Sequence, residues 1–394
     1  MPVPFTLGQI PAGVTTRRSW CNGAWAGRPL RCVVAVPARN EAGRIGRCLD
    51  GLERQQTSLP FGVLVLVNDS SDDTFAEVVA RGRRRACAPL MVIEAELPAG
   101  RCDAGAARCV AMHLASRCLP SDDAAVFTTD ADSLPPPHWI ASYSALIHAG
   151  YDAVAGLARL LPEDMADIPR SLLQRRMCEE RYEACLDALE AWLDPVAHNP
   201  WPRHYQASGA NLAISVAAMR RVSDLSWPAC GEDKWLVRSL EAHDGRVRHD
   251  TTLQVQTSGR LFGRARGGMA DTMRKRILDP ESPCDERLEM LDRAYFRART
   301  RRLLRELHAG HRHREHLETL SSRIRITPGL LAETLEASRF GVAWRAIENL
   351  SPRLARQPIK PSQLAAQCAR GESLLARLRI PFALSGDLSA VTMP

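Results

Sequence analysis

The sequence predicts an α/β fold: a mostly parallel sheet flanked by helices. Three observations carry that expectation. Two short β-branched runs, Cys32-Val33-Val34-Ala35-Val36-Pro37 and Val63-Leu64-Val65-Leu66-Val67, each feed a polar loop and then a segment of helical periodicity. A third apolar run, Phe127-Thr128-Thr129, ends in Asp130-Ala131-Asp132, two carboxylates one residue apart. Strand-loop-helix units in series call for parallel strands joined by right-handed crossovers, and such sheets bind ligands at the carboxyl ends of their strands, where these polar segments all lie.

Taken in order, residues 1–29, with Pro2, Pro4 and Pro11, read as a tail or strap with little structure of its own. After the strand from Cys32 and the loop Ala38-Arg39-Asn40-Glu41-Ala42-Gly43, a helix carries Ile45, Cys48, Leu49 and Leu52 on one apolar face. The second strand runs into Asn68-Asp69-Ser70-Ser71-Asp72-Asp73-Thr74 and another helix. Ala104-Gly105-Ala106-Ala107 precede Arg108 near a helix start, where small residues permit close backbone approach. Ser171 to Leu193 reads as a long helix with Leu172, Leu173, Tyr182, Cys185, Leu186 and Leu189 on its apolar side. Beyond Gly267-Gly268 the composition turns to charged helix formers, and Leu288, Leu291, Tyr295, Leu303, Leu304 and Leu307 predict amphipathic helices to near Leu378. The expected division is a tail at 1–29, an α/β domain at 30–262 and a helical extension at 263–394, the last as a packing or dimerisation module.

At 394 residues and 45% hydrophobic, the chain can bury a sizeable core. No apolar run approaches the roughly 20 residues of a membrane span and the first residues lack the apolar core of a signal peptide, so the expected location is cytoplasmic. The twelve cysteines are scattered singly with no Cys-x-x-Cys, many in apolar segments, as at Cys32, Cys109 and Cys185, and read as mostly reduced core residues. Of a formal charge of +7, lysine contributes only Lys234, Lys275 and Lys360. With aromatics at 5%, the arginines lack the interleaved stacking residues of a nucleic-acid surface, and clusters such as Arg81 to Arg85 and Arg299 to Arg302 read as solvated helix faces. Attraction to anionic phospholipid or sugar phosphates, and with it a peripheral membrane contact, stays open.

The acidic pair carries the chemistry. Alternation in a strand puts residues i and i+2 on one face, so Asp130 and Asp132 leave the strand end together. Two carboxylates so close repel unless a cation or proton lies between them, and oxygen-only ligation suits Mg²⁺ or Mn²⁺ bridging a phosphate, which implies a nucleotide diphosphate. A solvated acidic turn is the plainer alternative. Asp69, closing the second strand, can accept from a ring N–H of a base, or cap the following helix through an Asx-turn. Arg108 can pair with phosphate or lie on the surface. In Gly231-Glu232-Asp233, a carboxylate near a helix N-terminus is held ionised by the helix field, which suits a proton acceptor and equally a cap.

The chain resembles family 2 glycosyltransferases of the GT-A fold. The matching pieces are Val-Pro-Ala-Arg-Asn-Glu from residue 36, Asn-Asp-Ser-Ser-Asp-Asp-Thr from 68, Ala-Gly-Ala-Ala-Arg from 104, Thr-Asp-Ala-Asp from 129, Gly-Ala-Asn-Leu-Ala from 209 and Gly-Glu-Asp from 231, in the family's order. The resemblance implies a nucleotide-sugar donor held by Pro37, Asn40, Glu41, Asp69, Arg108 and Asp130, a divalent cation (Mn²⁺ or Mg²⁺) on Asp132 and Asp130, and Gly209 and Asn211 shaping the acceptor and donor-sugar side. It further implies Asp233 as the base that takes the acceptor proton, with Glu232 beside it. In many relatives a histidine further along completes the metal shell, whereas this chain has Thr257-Ser258-Gly259-Arg260 there and His249 earlier. The expectation is that water and Arg260 stand in for it.

The activity so implied is sugar transfer from a nucleotide diphosphate to an acceptor hydroxyl, inverting, with a retaining transferase as the nearest alternative. The acceptor, whether glycan, lipid or small molecule, is not specified by any motif, and homo-oligomerisation through the C-terminal helices stays open. A sugar-phosphate nucleotidyltransferase would need a Gly-rich loop after the first strand, and a dinucleotide-dependent oxidoreductase Gly-x-Gly-x-x-Gly; Pro37-Ala38-Arg39-Asn40-Glu41 is neither. A non-catalytic nucleotide or nucleic-acid binder would not need the three acids.

Overall fold

The computed structural model describes residues 11, 13–25, 29–84, 88–98, 104–222, 228, 231–261, 268–310 and 315–380. Pro2, Pro4, Arg85, Gly267 and the expected boundary at 262–263 lie outside them. Contacts divide the chain into two compact units, residues 1–167, 206–240 and 246–272 in the first and residues 168–205, 241–245 and 273–394 in the second.

The first unit is built on an eight-stranded sheet. In chain order its strands are β1 (Thr15–Cys21), β2 (Cys32–Ala38), β3 (Phe61–Asn68), β4 (Leu90–Glu96), β5 (Ala125–Thr128), β6 (Ala153–Leu160), β7 (Leu212–Ser215) and β8 (Val247–Thr257), and their spatial order is β1-β4-β3-β2-β5-β7-β6-β8. The pairs β2/β3, β2/β5, β3/β4 and β6/β8 are parallel, while β1/β4, β5/β7 and β6/β7 are antiparallel. The three runs that predicted the fold are thus neighbours. In register, Val34 sits opposite Val63 on one side and Phe127 on the other, so the loops after β2, β3 and β5 emerge side by side.

Helices cover both faces. Val33, Ala35, Leu64, Leu66, Met91 and Ile93 face α3 (Ala104–Arg117), α6 (Val216–Val222) and α7 (Glu232–Ala242). Cys32, Val34, Val36, Val63, Val65 and Val67 face α1 (Ile45–Glu53), α2 (Thr74–Gly82) and α4 (Trp139–His148). Burial on both faces explains why β2 and β3 are continuous apolar runs rather than alternating ones. On the second face Trp139 and Tyr143, one turn apart on α4, close around Phe127, with ring centroids 5.1 Å and 5.9 Å from it. Each such pair adds about 0.5–1.5 kcal/mol beyond its buried area and ties α4 to the strand that ends in the acids.

The second unit is helical: α5 (Arg170–Leu193), the end of α8 (Met269–Leu278), α9 (Leu291–His308), α10 (Glu315–Ile324), α11 (Pro328–Leu335), α12 (Phe340–Leu350) and α13 (Pro361–Arg377). One core gathers Tyr182, Cys185, Leu186 and Leu189 of α5 with Leu291 and Ala294 of α9 and Leu364 and Cys368 of α13. A second joins Leu304, Leu320, Leu331, Phe340 and Ile347.

Two expectations about organisation need correction. Residues 15–21 are not a strap without structure: β1 pairs with β4 from Thr15↔Glu96 to Cys21↔Met91, although five of its seven residues are exposed and leave no apolar period to read. And the long helix α5 belongs with the C-terminal helices, since its apolar side packs on α9 and α13 at sequence separations no local pattern reveals. Nor is Arg81 a solvated arginine; it is half-buried and paired with Asp50. Among the described cysteines Cys32 and Cys185 are buried and Cys109 is half-buried. No helix among the described residues is long and apolar enough to cross a membrane.

Candidate active site

The loops after β2 and β3 are laced together by their own backbone amides. Asn40 and Asp69 both adopt left-handed conformations, with φ of 53° and 44°, a region Asn and Asp tolerate better than other side chains. Asn40 N–H donates to Ser70 Oγ (2.9 Å), Glu41 N–H to Thr74 Oγ1 (2.8 Å), Ala42 N–H to Asp72 Oδ2 (3.0 Å) and Gly43 N–H to Glu77 Oε2 (2.7 Å), while Asn40 Oδ1 accepts from Ser71 N–H (2.7 Å). The Asn40 amide therefore holds the two loops in register. Asp72 Oδ1 accepts from the N–H of Thr74, the first residue of α2, at 3.1 Å, and Asp69 is half-exposed at the strand end. Pro37 is half-buried on β2 opposite Leu66.

Arg108, from the first turns of α3, is the hub of the site. It is buried, and its guanidinium donates to Asp130 Oδ1 (2.6 Å), Thr128 Oγ1 (2.8 Å), the Gly209 carbonyl (2.9 Å) and Glu232 Oε1 (2.9 Å). Burial opposes its charge, but Asp130 and Glu232 more than offset that and raise its pKa. Both sequence-level readings of Arg108 thus require correction, because it is neither on the surface nor turned to solvent to await a phosphate. It fastens the end of β5 to the start of α7. Gly209 is required by the same contact, since a Cβ there would collide with the Arg108 guanidinium.

Gly209 also links the two acids at the head of α7. Its N–H donates to Asp233 Oδ2 at 2.9 Å, while Asp233 Oδ1 accepts from Lys234 N–H at 2.7 Å. Glu232 is buried against Arg108; burial raises its pKa, Arg108 pulls it down and Asp233 pushes it up. The two carboxylates differ in what they can do: Glu232 is committed to an ion pair, and Asp233, held by two backbone amides, is half-exposed.

A second arginine closes the other side. Arg260, just past β8, forms a two-pronged pair with the buried Glu41 (Nη1–Oε2 2.9 Å, Nη2–Oε1 2.6 Å) and approaches Asp132 Oδ2 at 3.2 Å. The Asp132 side chain is 12% exposed. Its burial, together with Asp130 and Glu41, pushes its carboxyl up to about 7 against the pull of Arg260 and Arg44. Asp130 is the more open of the pair, at 35%.

The geometry brings together Glu41, Arg108, Asp130, Asp132, Gly209, Glu232, Asp233 and Arg260, within one unit and from chain positions more than two hundred residues apart. It does not bring Asn211 to the cleft. That residue is fully buried; its Oδ1 accepts from Trp139 Nε1 (2.8 Å) and from the Tyr143 hydroxyl, and its Nδ2 donates to the carbonyls of Leu157 (2.9 Å) and Leu253 (3.1 Å). With its amide engaged on both sides, Asn211 joins α4, β6 and β8 rather than lining a donor site. His249 is likewise buried, in β8 opposite Ala155. Thr128 was overlooked, although the hydroxyl that receives Arg108 stands within the motif. Nothing in the sequence singles out Asp164 and Ser258, which shape the turn before Arg260.

Could the acids hold a divalent ion? Among the described residues no group of three or more His, Cys, Asp and Glu side chains forms a metal cage. Asp130 and Asp132 nevertheless fit a partial one. Burial first, and then Asp130 and Glu41, raise the Asp132 carboxyl against Arg260, and a cation shared with a diphosphate would offset the same costs.

Residues 33–183 match the profile of Glycosyl transferase family 2. Over those residues the chain is similar to family 2 glycosyltransferases. The match includes Glu41, Asp69, Arg108, Asp130 and Asp132 and stops short of Gly209, Glu232, Asp233 and Arg260, which the fold itself adds to the site. No curated protein matches the chain. Among solved structures, S. aureus TarS 1-349 in complex with UDP-GlcNAc is 15% identical over 81% of this chain and 90% of its own, with a TM-score of 0.43. The mannosyltransferase PcManGT from Pyrobaculum calidifontis, in complex with GDP-Man and Mn²⁺, is 18% identical over 89% and 84%, at 0.39. Glucosyl-3-phosphoglycerate synthase from Mycobacterium tuberculosis, with Mn²⁺, UDP-glucose and phosphoglyceric acid, is 17% identical over 66% and 78%, at 0.38. The chain spans 43% of the longer TarS structure. Likeness of this degree does not bear on donor or acceptor.

Proposed function

We propose that this glycosyltransferase moves a sugar from a nucleotide-diphosphate donor to an acceptor hydroxyl with inversion, and that Asp233 takes the acceptor proton. The observation that carries the reading is the Arg108 hub: one buried guanidinium, 22 residues from Asp130 and 124 from Glu232 along the chain, fixes the acidic strand end at Asp130 to the acidic helix start at Glu232-Asp233. A donor site and a base are useful only at a fixed separation, and this contact fixes it.

In this reading the base and ribose lie along the ends of β2 and β3, by Pro37 and Asp69, and the diphosphate lies toward Asp130 and Asp132. Those two carboxylates would hold Mn²⁺ or Mg²⁺, which when bound supplies positive charge to the diphosphate leaving group. Arg260 adds a fixed positive charge on the same side. It is paired with Glu41 and Asp132 in the free protein, and an entering diphosphate would compete for its N–H groups. Asp233, oriented by the Gly209 and Lys234 amides, faces the acceptor and removes its proton as the oxygen attacks the anomeric carbon. Glu232 keeps Arg108 in place and does not itself transfer a proton.

The test is a panel of UDP-, GDP-, ADP- and CDP-sugars incubated with the protein, with and without Mn²⁺, and scored for released nucleotide diphosphate. Anomeric configuration of the product, read by NMR, separates inversion from retention. The reading expects release from at least one donor and an inverted product; release from none of them, in the presence of metal and a mixed acceptor pool, would overturn it.

A further inference from the structure

β8 leaves the sheet at Thr257, and three residues later the chain presents Arg260 to Glu41 and Asp132. A long arginine side chain has much rotamer entropy to lose, so where its backbone is fixed decides how often the guanidinium is in place. The turn that fixes it is held from the neighbouring strand. β6 runs parallel to β8 with Leu160 opposite Thr257, and Leu161 N–H continues the pairing to the Thr257 carbonyl at 2.9 Å. That register lays the 3-10 turn Pro162–Asp167 alongside residues 258–260.

Asp164, in that turn, accepts through one oxygen, Oδ2, from both Gly259 N–H (2.7 Å) and the Ser258 hydroxyl (3.0 Å). Ser258 Oγ in turn accepts from Arg260 N–H (3.3 Å) and from Arg44 Nη1 (3.3 Å). A hydroxyl donates once and accepts twice, so the capacity of Ser258 is filled. The bonds to Asp164 end on a carboxylate, the stronger kind of acceptor.

We propose that Asp164 is a positioning residue for Arg260: through Ser258 and Gly259 it sets the turn that keeps the guanidinium over Glu41 and Asp132. Its consequence for donor binding rests on the nucleotide-diphosphate reading of the cleft. Glu163, beside it, points elsewhere and pairs with Arg47, which makes it the natural control.

The experiment is a double-mutant cycle read two ways. In ligand-free protein unfolded with urea, Asp164→Ala should shift the unfolding equilibrium about tenfold in the parent and by less than about threefold in the Arg260→Ala background. By calorimetry with UDP and GDP in Mn²⁺, Asp164→Ala should weaken the nucleotide that binds by about tenfold and add nothing to Arg260→Ala, and Asp164→Asn, which keeps an acceptor oxygen, should recover most of the loss. Glu163→Gln should match the parent in both. Additive effects in the unfolding cycle would overturn the proposal and leave Asp164 a merely structural residue. If the parent binds neither UDP nor GDP, the nucleotide reading is the one in trouble, and the unfolding cycle still decides whether Asp164 acts through Arg260.

Discussion

Both units of this protein bury arginines among carboxylates, and only one of them reads as a site. In the helical unit Arg287 donates to Asp187 and Glu190, each at 3.1 Å, and lies 3.6 Å over the Tyr205 ring, while Arg297 holds Glu289 and Glu348 at 2.7–3.0 Å. Asp187 is 2% exposed and Glu289 1%. In the sheet unit Arg108 and Arg260 make pairs as short, but their carboxylates include Asp130, 35% exposed, and they stand where parallel strands end. A buried ion pair is therefore no sign of function in itself, since such pairs also organise a polar interior. Position at the strand ends and one open flank distinguish the site.

The largest expected effect falls on the open flank. Asp233→Asn should retain the fold and donor affinity and lose about 10²- to 10⁴-fold in transfer rate, since a general base acts only while the proton is leaving. Glu232→Gln should cost less in rate and more in stability, because it loosens Arg108. Donor affinity by calorimetry beside transfer by mass spectrometry separates the two. An Asp233→Asn enzyme that transfers at the parent rate would reduce that carboxylate to a helix cap.

Next come the two hubs, where the comparison is sharpest. Arg108→Met and Arg287→Met each take the paired guanidinium from a buried carboxylate, Glu232 in one and Asp187 in the other, and should each lose about 3–5 kcal/mol of stability in urea unfolding. They should part in binding: well below the unfolding midpoint, Arg108→Met should lose nucleotide-diphosphate affinity and Arg287→Met should match the parent. Equal loss in both would mean that the Arg108 cluster is a structural network like its counterpart.

A smaller effect belongs to the acidic pair itself. Asp132→Ala should weaken UDP or GDP binding in Mn²⁺ by about tenfold, roughly 1.4 kcal/mol, and chelation of the metal should weaken the parent to a similar degree while leaving the variant nearly unchanged. Equal affinity of the parent with and without metal would remove the cation from the mechanism.

How much of this was legible in the sequence follows from where each signal lives. The parallel core was, because β2, β3 and β5 are buried on both faces and so appear as unbroken apolar runs that end in polar loops. β1 was not, since an exposed edge strand has no apolar period. The acids Asp130, Asp132, Glu232 and Asp233 could be singled out from spacing and family likeness, and Arg260 from the absence of a histidine. What could not be read was direction. Asn211 sits in a stretch that resembles the family's acceptor side, yet just before the four-residue strand β7 its side chain turns to Trp139 and Tyr143. Arg108 looked like a phosphate ligand, and only the folded chain shows four acceptors converging on it. Asp164 carries no local signal, because its partners at 258 and 259 are fixed by the register of β6 on β8.

The effect confined to the narrowest conditions is a pH dependence in the helical unit. Asp187 is pushed up to about 7, chiefly by burial and against the pull of Arg287, while Glu190 in the same cluster is held down at about 2 because Arg287 and Arg356 outweigh its burial. The signs are opposite. For Asp187 the folded chain keeps a proton that the unfolded chain releases near its ordinary value of 3.8, so from about pH 4 to 7 this residue makes stability fall as pH rises. For Glu190 the contribution is present above its ordinary 4.5 and is lost only as pH falls toward 2, so it is constant in the higher window. Urea unfolding between pH 5 and 7 should therefore show a downward slope to which Asp187 contributes beside Asp132 of the sheet unit, and Asp187→Asn, which cannot ionise, should make it shallower. The sheet unit predicts no change in nucleotide affinity for this variant across the same range. A slope that Asp187→Asn leaves as steep as in the parent would mean that Arg287 keeps this carboxylate ionised after all, and that the polar interior of the helical unit is a fully charged network.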